Sequence, residues 1–337
     1  MGSYAPAARE LGAQVYLRRL GVSQIRFIKG LRELIESGTY DIVHNHLQVY
    51  SGLPALACKS LKIPVITSFH CTEFVSDTWL RHPGLRHMRD AYANVSIRYA
   101  IRHSEMVTGC SRAVVECVSK NFGTNGNDWR VLYYGTDPPP HSTKEGRREL
   151  RDSLGWPKDT PIIAHVGRFA QQKNHFGLLR IFEIVCRRLP NAKMLLIGGG
   201  PLRPAVEAMV QALGLSESVR FLGYRDDVPT LISRSDLFLF PSWFEGLPVA
   251  ALEASAAGVA VVASKVPGIN EAIEEGVTGY LFDPRDHEGM ANAAISVLSD
   301  PGLGGRVGAA GRNRILEGFS KQISAKSLLH LYHECIG

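Results

Sequence analysis

Residues 244–264 read FEGLPVAALEASAAGVAVVAS. The apolar positions describe a helix feeding a strand, and VAVVAS has no polar alternation, so that strand is expected to be buried on both faces. Two carboxylates interrupt the run, Glu245 and Glu253. Carboxylates are rarely buried without a partner. Pro248 suits a first helical turn, with Gly246 and Leu247 leading in. Free backbone N–H groups there favour an anion or an oxygen-rich ligand. Along one helix the two acids would lie roughly 12 Å apart, too far for a carboxylate pair acting on one bond at about 5–10 Å. The spacing suits two ends of one elongated polar ligand, a sugar at one end and a ribose at the other. A salt bridge for each acid is the structural alternative.

The same alternation of helix and buried strand extends in both directions. Upstream of 244, the strand-like runs are PIIAHVG, AKMLLIG, VRFLG and DLFLFPS, separated by helical segments over 173–189, 202–213 and 227–234. In the first part, DIVHNHL (41–47), PVITSF (64–69), MVTGCS (106–111) and WRVLYY (129–134) read as strands. YSGLPALACKSLK and roughly 77–102 read as helices, and Ser111 is a plausible cap for the next one. Between the two series lies GTDPPPHSTKEG (135–146), whose three consecutive prolines stop helix and central strand alike. Continuous Val/Ile/Leu/Phe strands imply parallel sheets covered on both sides. The expected fold class is α/β, with two Rossmann-like domains joined by a linker.

Composition sets the outer limits. The chain has 337 residues, 45% hydrophobic and 21% charged, enough to bury a large core without staples. No apolar run approaches the roughly 20 residues of a membrane span. The start shows no charged segment followed by an apolar core, so no secretory signal is expected. The six cysteines contain no C-x-x-C, which suggests reduced thiols in a cytoplasmic protein. The net charge of +6 resides in residues 1–150, where 19 Lys/Arg face 13 Asp/Glu. Much of that excess falls in 81–103. It reads as a solvated helix face, or as a peripheral contact with anionic lipid at the inner membrane face. No nucleic-acid motif accompanies it.

Ligands of open parallel sheets sit at the carboxyl ends of the strands. VGR, IGGG, FLGYR, FPSWFEG and ASKVPG all follow strand ends. In HVGRFAQQKNH, Gly167 allows close backbone approach, and Arg168 and Lys173 would suit an anionic group. IGGGP, with Gly199 and Gly200 before Pro201, is a potential phosphate turn opening a helix. Solvated cations and a plain tight turn are the alternatives.

Taken together, VGRFAQQKNH, IGGGP, FLGYRDDVP and residues 240–264 resemble the family 4 retaining glycosyltransferases of the GT-B fold, whose E-x7-E signature is met by Glu245 and Glu253. The resemblance is very specific over about 160–320 and visible over 40–140. It implies an N-terminal acceptor domain over 1–137, a linker over 138–146 and a nucleotide-sugar donor domain over 147–320. It further implies a C-terminal helix, 321–337, crossing back to the first domain. It gives Arg168 and Lys173 the donor diphosphate, and Glu245 the sugar hydroxyls with the Gly246 and Leu247 amides nearby. Glu253 takes the ribose, Tyr224 and Arg225 lie beside the base, and Gly167, Gly199 and Gly200 line the cleft. His70 faces the sugar from the first domain, although a lone His after a strand is more often structural. The implied reaction transfers a sugar from a UDP- or GDP-linked donor to a saccharide, glycolipid or other hydroxyl acceptor, keeping the anomeric configuration. No cofactor is implied beyond that co-substrate. No metal is expected either, because the chain has no Asp-x-Asp.

Two departures bear on this. The family's opening strand and glycine-rich turn are not found, so the N-terminal domain is expected to be incomplete by roughly 40–60 residues against ordinary domain size. Tyr134 stands where the family has asparagine. A non-catalytic nucleotide-sugar-binding subunit and a sugar-nucleotide epimerase of similar fold are the competing readings.

Overall fold

Strands without a polar face must be covered on both sides, and the chain does this twice. The computed structural model describes residues 5–16, 23–73, 86–123, 128–140 and 142–337. The first unit runs α1 (Ala5–Glu10), α2 (Gln24–Ser37), β1 (Val43–Asn45), α3 (Gly52–Ala57), β2 (Val65–Phe69), α4 (Arg86–Arg102), β3 (Met106–Gly109), α5 (Arg112–Phe122) and β4 (Asp128–Val131). Its strands form a parallel sheet in the order β1-β2-β3-β4. Every residue of β2 and β3 is buried. Ser111 caps α5, its side chain accepting from the Val114 amide at 3.1 Å.

The second unit runs α6 (Lys144–Ser153), β5 (Ile162–Val166), α7 (His175–Arg188), β6 (Lys193–Ile197), α8 (Arg203–Ala212), β7 (Val219–Gly223), α9 (Val228–Ser233) and β8 (Leu237–Phe240). It continues with α10 (Val249–Ala256), β9 (Val261–Ser264), α11 (Pro267–Ala272), β10 (Tyr280–Phe282), α12 (His287–Ser299) and α13 (Pro301–Gly318). Its six strands are parallel, in the order β10-β9-β8-β5-β6-β7. The chain builds outward from β5 through β6 to β7, then returns to place β8 on the other side of β5. That reversal opens a crevice between the β5 and β8 carboxyl ends, where ligands of such sheets bind.

The last helix, α14 (Lys321–Ile336), lies on the first unit. Leu331 is buried with Ile66 and Met106, and Tyr332 shares a 2.9 Å hydrogen bond with His44. The outgoing and returning crossings run side by side, the Thr136 amide donating to the Phe319 carbonyl at 2.9 Å.

Several boundaries differ from the sequence reading, each for a local reason. The strand expected over 129–134 ends at Val131, where the chain turns off the sheet edge towards the linker. The linker expected to reach 146 ends earlier, because the Thr143 side chain accepts from the Gly146 amide and starts α6 at Lys144. Pro201 does not open a helix; residues 201–202 form a turn and α8 starts at Arg203. Pro248 is the N-cap of α10, so Glu245 precedes the helix and the 12 Å helical spacing to Glu253 does not apply. The helix expected over 77–102 is seen from Arg86, with 77–85 outside the described residues.

Candidate active site

The two loops that flank the crevice carry opposite charges. After β5 the chain passes through Gly167, the exposed Arg168 and a 3-10 turn, Gln171–Lys173. Asn174 then adopts a left-handed conformation and caps α7 through its side chain. After β8, residues 241–248 form a buried loop that brings Glu245 to the same place. Lys173 Nζ donates to Glu245 Oε1 at 2.6 Å, the lysine side chain being 17% exposed and the glutamate 6%. Gln172 Nε2 donates to the Phe244 carbonyl at 3.0 Å, and the Trp243 amide donates to the Gln172 carbonyl at 2.8 Å. The loops are therefore stitched together by backbone as well as by charge.

The glycines explain how closely the neighbouring loops approach. The Phe169 amide donates to the Gly199 carbonyl at 2.9 Å, and the Gly167 amide to Ile197 at 3.0 Å. At Gly200, with φ +154°, a Cβ would lie 2.6 Å from the Phe169 carbonyl oxygen, so no side chain fits. Beneath this floor His165 is fully buried, its Nδ1 sharing a 2.9 Å hydrogen bond with the Leu239 carbonyl. His175 stacks on Phe169 at 4.2 Å. Burial holds His165 well below the usual histidine range. Burial, then the neighbouring Lys173 charge, lowers His175 to about 4.

The first unit meets this crevice through the end of β2. A Cβ on Gly246 would collide with the His70 carbonyl oxygen, so the residue after Glu245 packs directly on the residue after β2. His70 Nε2 is hydrogen-bonded to His46 Nδ1 at 2.9 Å, and His70 Nδ1 to the Tyr134 hydroxyl. Burial, then the adjacent His46, pushes His70 down to about 4. His44 falls to about 3 through burial and then its neighbours His46 and His70.

The structure thus groups Lys173, Glu245, Gly246 and His70. Leu247 is buried in the core shared by the two units, with Phe69 and Cys110. Glu253 lies inside α10, half-buried, with its pKa raised by burial and lowered in part by Lys321. It makes no hydrogen bond or ion pair among the described residues. Tyr224 is 83% exposed, its ring beside Gly199. Arg225 is engaged by Asp227 through two hydrogen bonds of 2.8 and 2.7 Å.

These features meet a known profile. The family described as glycosyl transferases group 1 matches residues 146–314, and glycosyltransferase family 4 matches residues 6–139. The chain belongs to the group 1 glycosyltransferases. Among curated relatives of this transferase, the N-acetyl-alpha-D-glucosaminyl L-malate synthase of Bacillus anthracis is 27% identical over 312 residues, 91% of this chain and 78% of the relative. The alpha-D-kanosaminyltransferase of Streptomyces kanamyceticus is 30% identical over 256 residues, 74% of this chain and 65% of the relative. Among solved structures, Anabaena HepE in complex with UDP and glucose aligns with a TM-score of 0.84 at 20% identity, covering 98% of this chain and 89% of the other. Sucrose-phosphate synthase from Thermosynechococcus elongatus gives 0.78 at 22%, covering 95% and 80%. The fold of this transferase is GT-B.

Sequence reasoning missed two groups. His46 and Tyr134 flank His70, although the chain order places them on three separate strand ends. Glu271 on α11 reaches across to the first unit, accepting from the Arg112 and Ala113 amides at 2.9 and 2.8 Å and from the Tyr133 hydroxyl at 2.8 Å. A carboxylate at a helix N-terminus is favoured by the α5 dipole. Nothing local in the sequence announces a cap 159 residues away.

Proposed function

We propose that this transferase moves a sugar from a nucleotide-diphosphate sugar to a hydroxyl-bearing saccharide or lipid-linked acceptor, retaining the anomeric configuration and using no metal. One observation carries the reading: a buried lysine–glutamate pair closes the crevice at the reversal point of the donor-side sheet, directly against the His70 end of the first unit. A carboxylate there accepts from sugar hydroxyls, and an ammonium offsets charge on a leaving diphosphate. In this reading Arg168 and Lys173 hold the diphosphate, Glu245 with the Gly246 and Leu247 amides holds the sugar, and Glu253 holds the ribose. Glu253, half-buried on α10, makes no hydrogen bond or ion pair among the described residues, and its carboxylate oxygens are available to accept from ribose hydroxyls. Tyr224 and the Gly199 backbone flank the base, with Arg225 nearby. The protein's chemical contribution is positioning and electrostatic stabilisation. The HepE structures, which hold UDP, glucose and UDP-glucose, make a UDP-linked donor the first to test. A peripheral contact with an anionic membrane belongs to the same proposal, since α4 exposes Met88 and Val95 beside its arginines.

The test is turnover of UDP-, GDP- and ADP-sugars with and without acceptor, the product configuration being read by NMR in metal-free buffer. A transferred sugar with unchanged configuration supports the proposal. An inverted product, or strict dependence on added divalent cation, ends the corresponding part of it.

A further inference from the structure

Helix α6 carries its charges in two stripes. Lys144, Arg147, Arg148 and Arg151 fall at i, i+3, i+4 and i+7, while Glu145, Glu149 and Asp152 fall between them on the other side. Like charges three and four residues apart on a helix repel. Lys144 has that spacing to Arg147 and Arg148, and so does Arg151. The basic stripe faces a cavity of about 460 Å³, which Lys158 and Asp159 also line. Pro161, Asp236 and Ala260 line it too, and each immediately precedes a strand, β5, β8 or β9. The cavity therefore lies at the amino ends of these strands. The Lys173–Glu245 crevice lies at the carboxyl ends, roughly 15 Å away along a five-residue strand.

One carboxylate offsets part of the charge. Asp236 Oδ2 accepts from Arg151 Nη2 at 2.5 Å and from the Ile162 amide at 2.7 Å, and its Oδ1 accepts from Arg147 at 3.2 Å. Arg151, which is buried, also donates to the Thr160 and Arg147 carbonyls at 2.8 and 2.9 Å. These groups form a fixed inner wall. Lys144 and Lys158 make no hydrogen bond or ion pair among the described residues, and Arg148 has only the exposed Glu145, at 3.9 Å. Five cations thus face two carboxylates, Asp159 and Asp236, a surplus of three positive charges.

We propose that this cavity binds a phosphomonoester, with Lys144, Arg148 and Lys158 on the phosphate. A guanidinium fork matches phosphate oxygens, the lysines add point charge, and a dianion offsets most of the surplus. The volume is that of a small-molecule site, and Val259, Val297 and Leu298 give an apolar wall for the organic part of the ester. Gly305 on α13 lines the cavity without filling it, since a Cβ there would meet nothing within 4 Å beyond its own helix.

Calorimetry of the full chain with glucose 6-phosphate tests this. One site is expected, weakened about 10-fold or more by Arg148→Glu with Lys158→Glu, and likewise by Gly305→Glu, which sets a carboxylate in the cavity. These positions are exposed or open, so both variants should melt like the wild type in phosphate-free buffer. Arg168→Ala, at the crevice, should leave this binding unchanged. Vesicles containing phosphatidic acid present the same phosphomonoester on a lipid. Sedimentation with them that both variants abolish, without heat from glucose 6-phosphate, would assign the site to a lipid headgroup. Failure to bind either probe, or binding that survives either variant, would overturn the proposal.

Discussion

Lys173 Nζ and Glu245 Oε1 lie 2.6 Å apart, 72 residues from each other in the chain, at the point where the strand order of the six-stranded sheet reverses. The ammonium also sits 4.6 Å from the centroid of the Phe240 ring. Both charges are withdrawn from water, and removing one leaves the other buried alone, at a cost of about 3–5 kcal/mol. Lys173→Ala should therefore lower unfolding stability by about 3 kcal/mol in a urea titration and reduce sugar transfer by about 10²-fold or more. Replacing both, Lys173→Met with Glu245→Gln, should restore much of the stability and none of the transfer. Arg168→Ala should also reduce transfer about 10²-fold. Wild-type turnover in both single variants would remove the diphosphate from this crevice.

Glu271 ties the two units together through three acceptor bonds to Arg112, Ala113 and Tyr133. Charge-assisted bonds of this kind are worth about 1.5–3 kcal/mol each when measured singly. Glu271→Ala should lower the melting temperature and expand the molecule in small-angle scattering, because the Arg112 and Ala113 amides and the Tyr133 hydroxyl lose their cross-unit acceptor. An unchanged scattering profile would show that the shared apolar core holds the units without it.

Gly246 packs its backbone directly on the end of β2 in the first unit. Gly246→Ala places a methyl group against the backbone carbonyl of His70, which cannot rotate away as a side chain would. Transfer should be lost, while calorimetry should still detect nucleotide binding to the second unit. Full activity in this variant would mean that the two loops separate freely during turnover.

The buried and half-buried histidines set the acid limit. His70 and His175 are lowered to about 4 and His44 to about 3, chiefly by burial. An unfolded histidine titrates near 6.5, so below that pH the unfolded chain binds protons that the native one refuses. Stability is then full above about pH 6.5 and falls as the pH drops towards 4. Urea midpoints measured across that window should decline steadily, and His175→Phe should flatten part of the slope. A flat profile would show that these rings charge without unfolding.

The arginines of α4 test the membrane contact. Arg98 is partly engaged by Asn94 and the Asn121 carbonyl, and Arg102 ends the helix. The double substitution Arg98→Glu with Arg102→Glu should weaken sedimentation with anionic vesicles and leave neutral vesicles unaffected. Unchanged sedimentation would leave a solvated helix face.

Much of the fold is local information. The runs PVITSF and DLFLFPS lack polar alternation, so they had to be central parallel strands, and β2 and β8 are buried throughout. Ser111 marked the start of α5 because a cap needs only its own side chain and an amide three residues on. Local signals failed where a neighbour decides. Nothing in WRVLYY shows that the strand stops at Val131, and nothing near Pro248 shows that it caps α10.

The sequence by itself determined which segments form β1 to β9, that they run parallel, and which loops lie at their carboxyl ends, because run length, prolines and caps act over a few residues; the three-residue β10 is not anticipated by it. Only the tertiary structure decided that β8 returns beside β5 and pairs Lys173 with Glu245. It alone decided that His46, His70 and Tyr134 stack from separate strand ends, and that Glu271 caps a helix in the other unit. Such pairings join residues far apart in the chain, set by packing energy shared over a whole core, and leave no periodic mark on either segment.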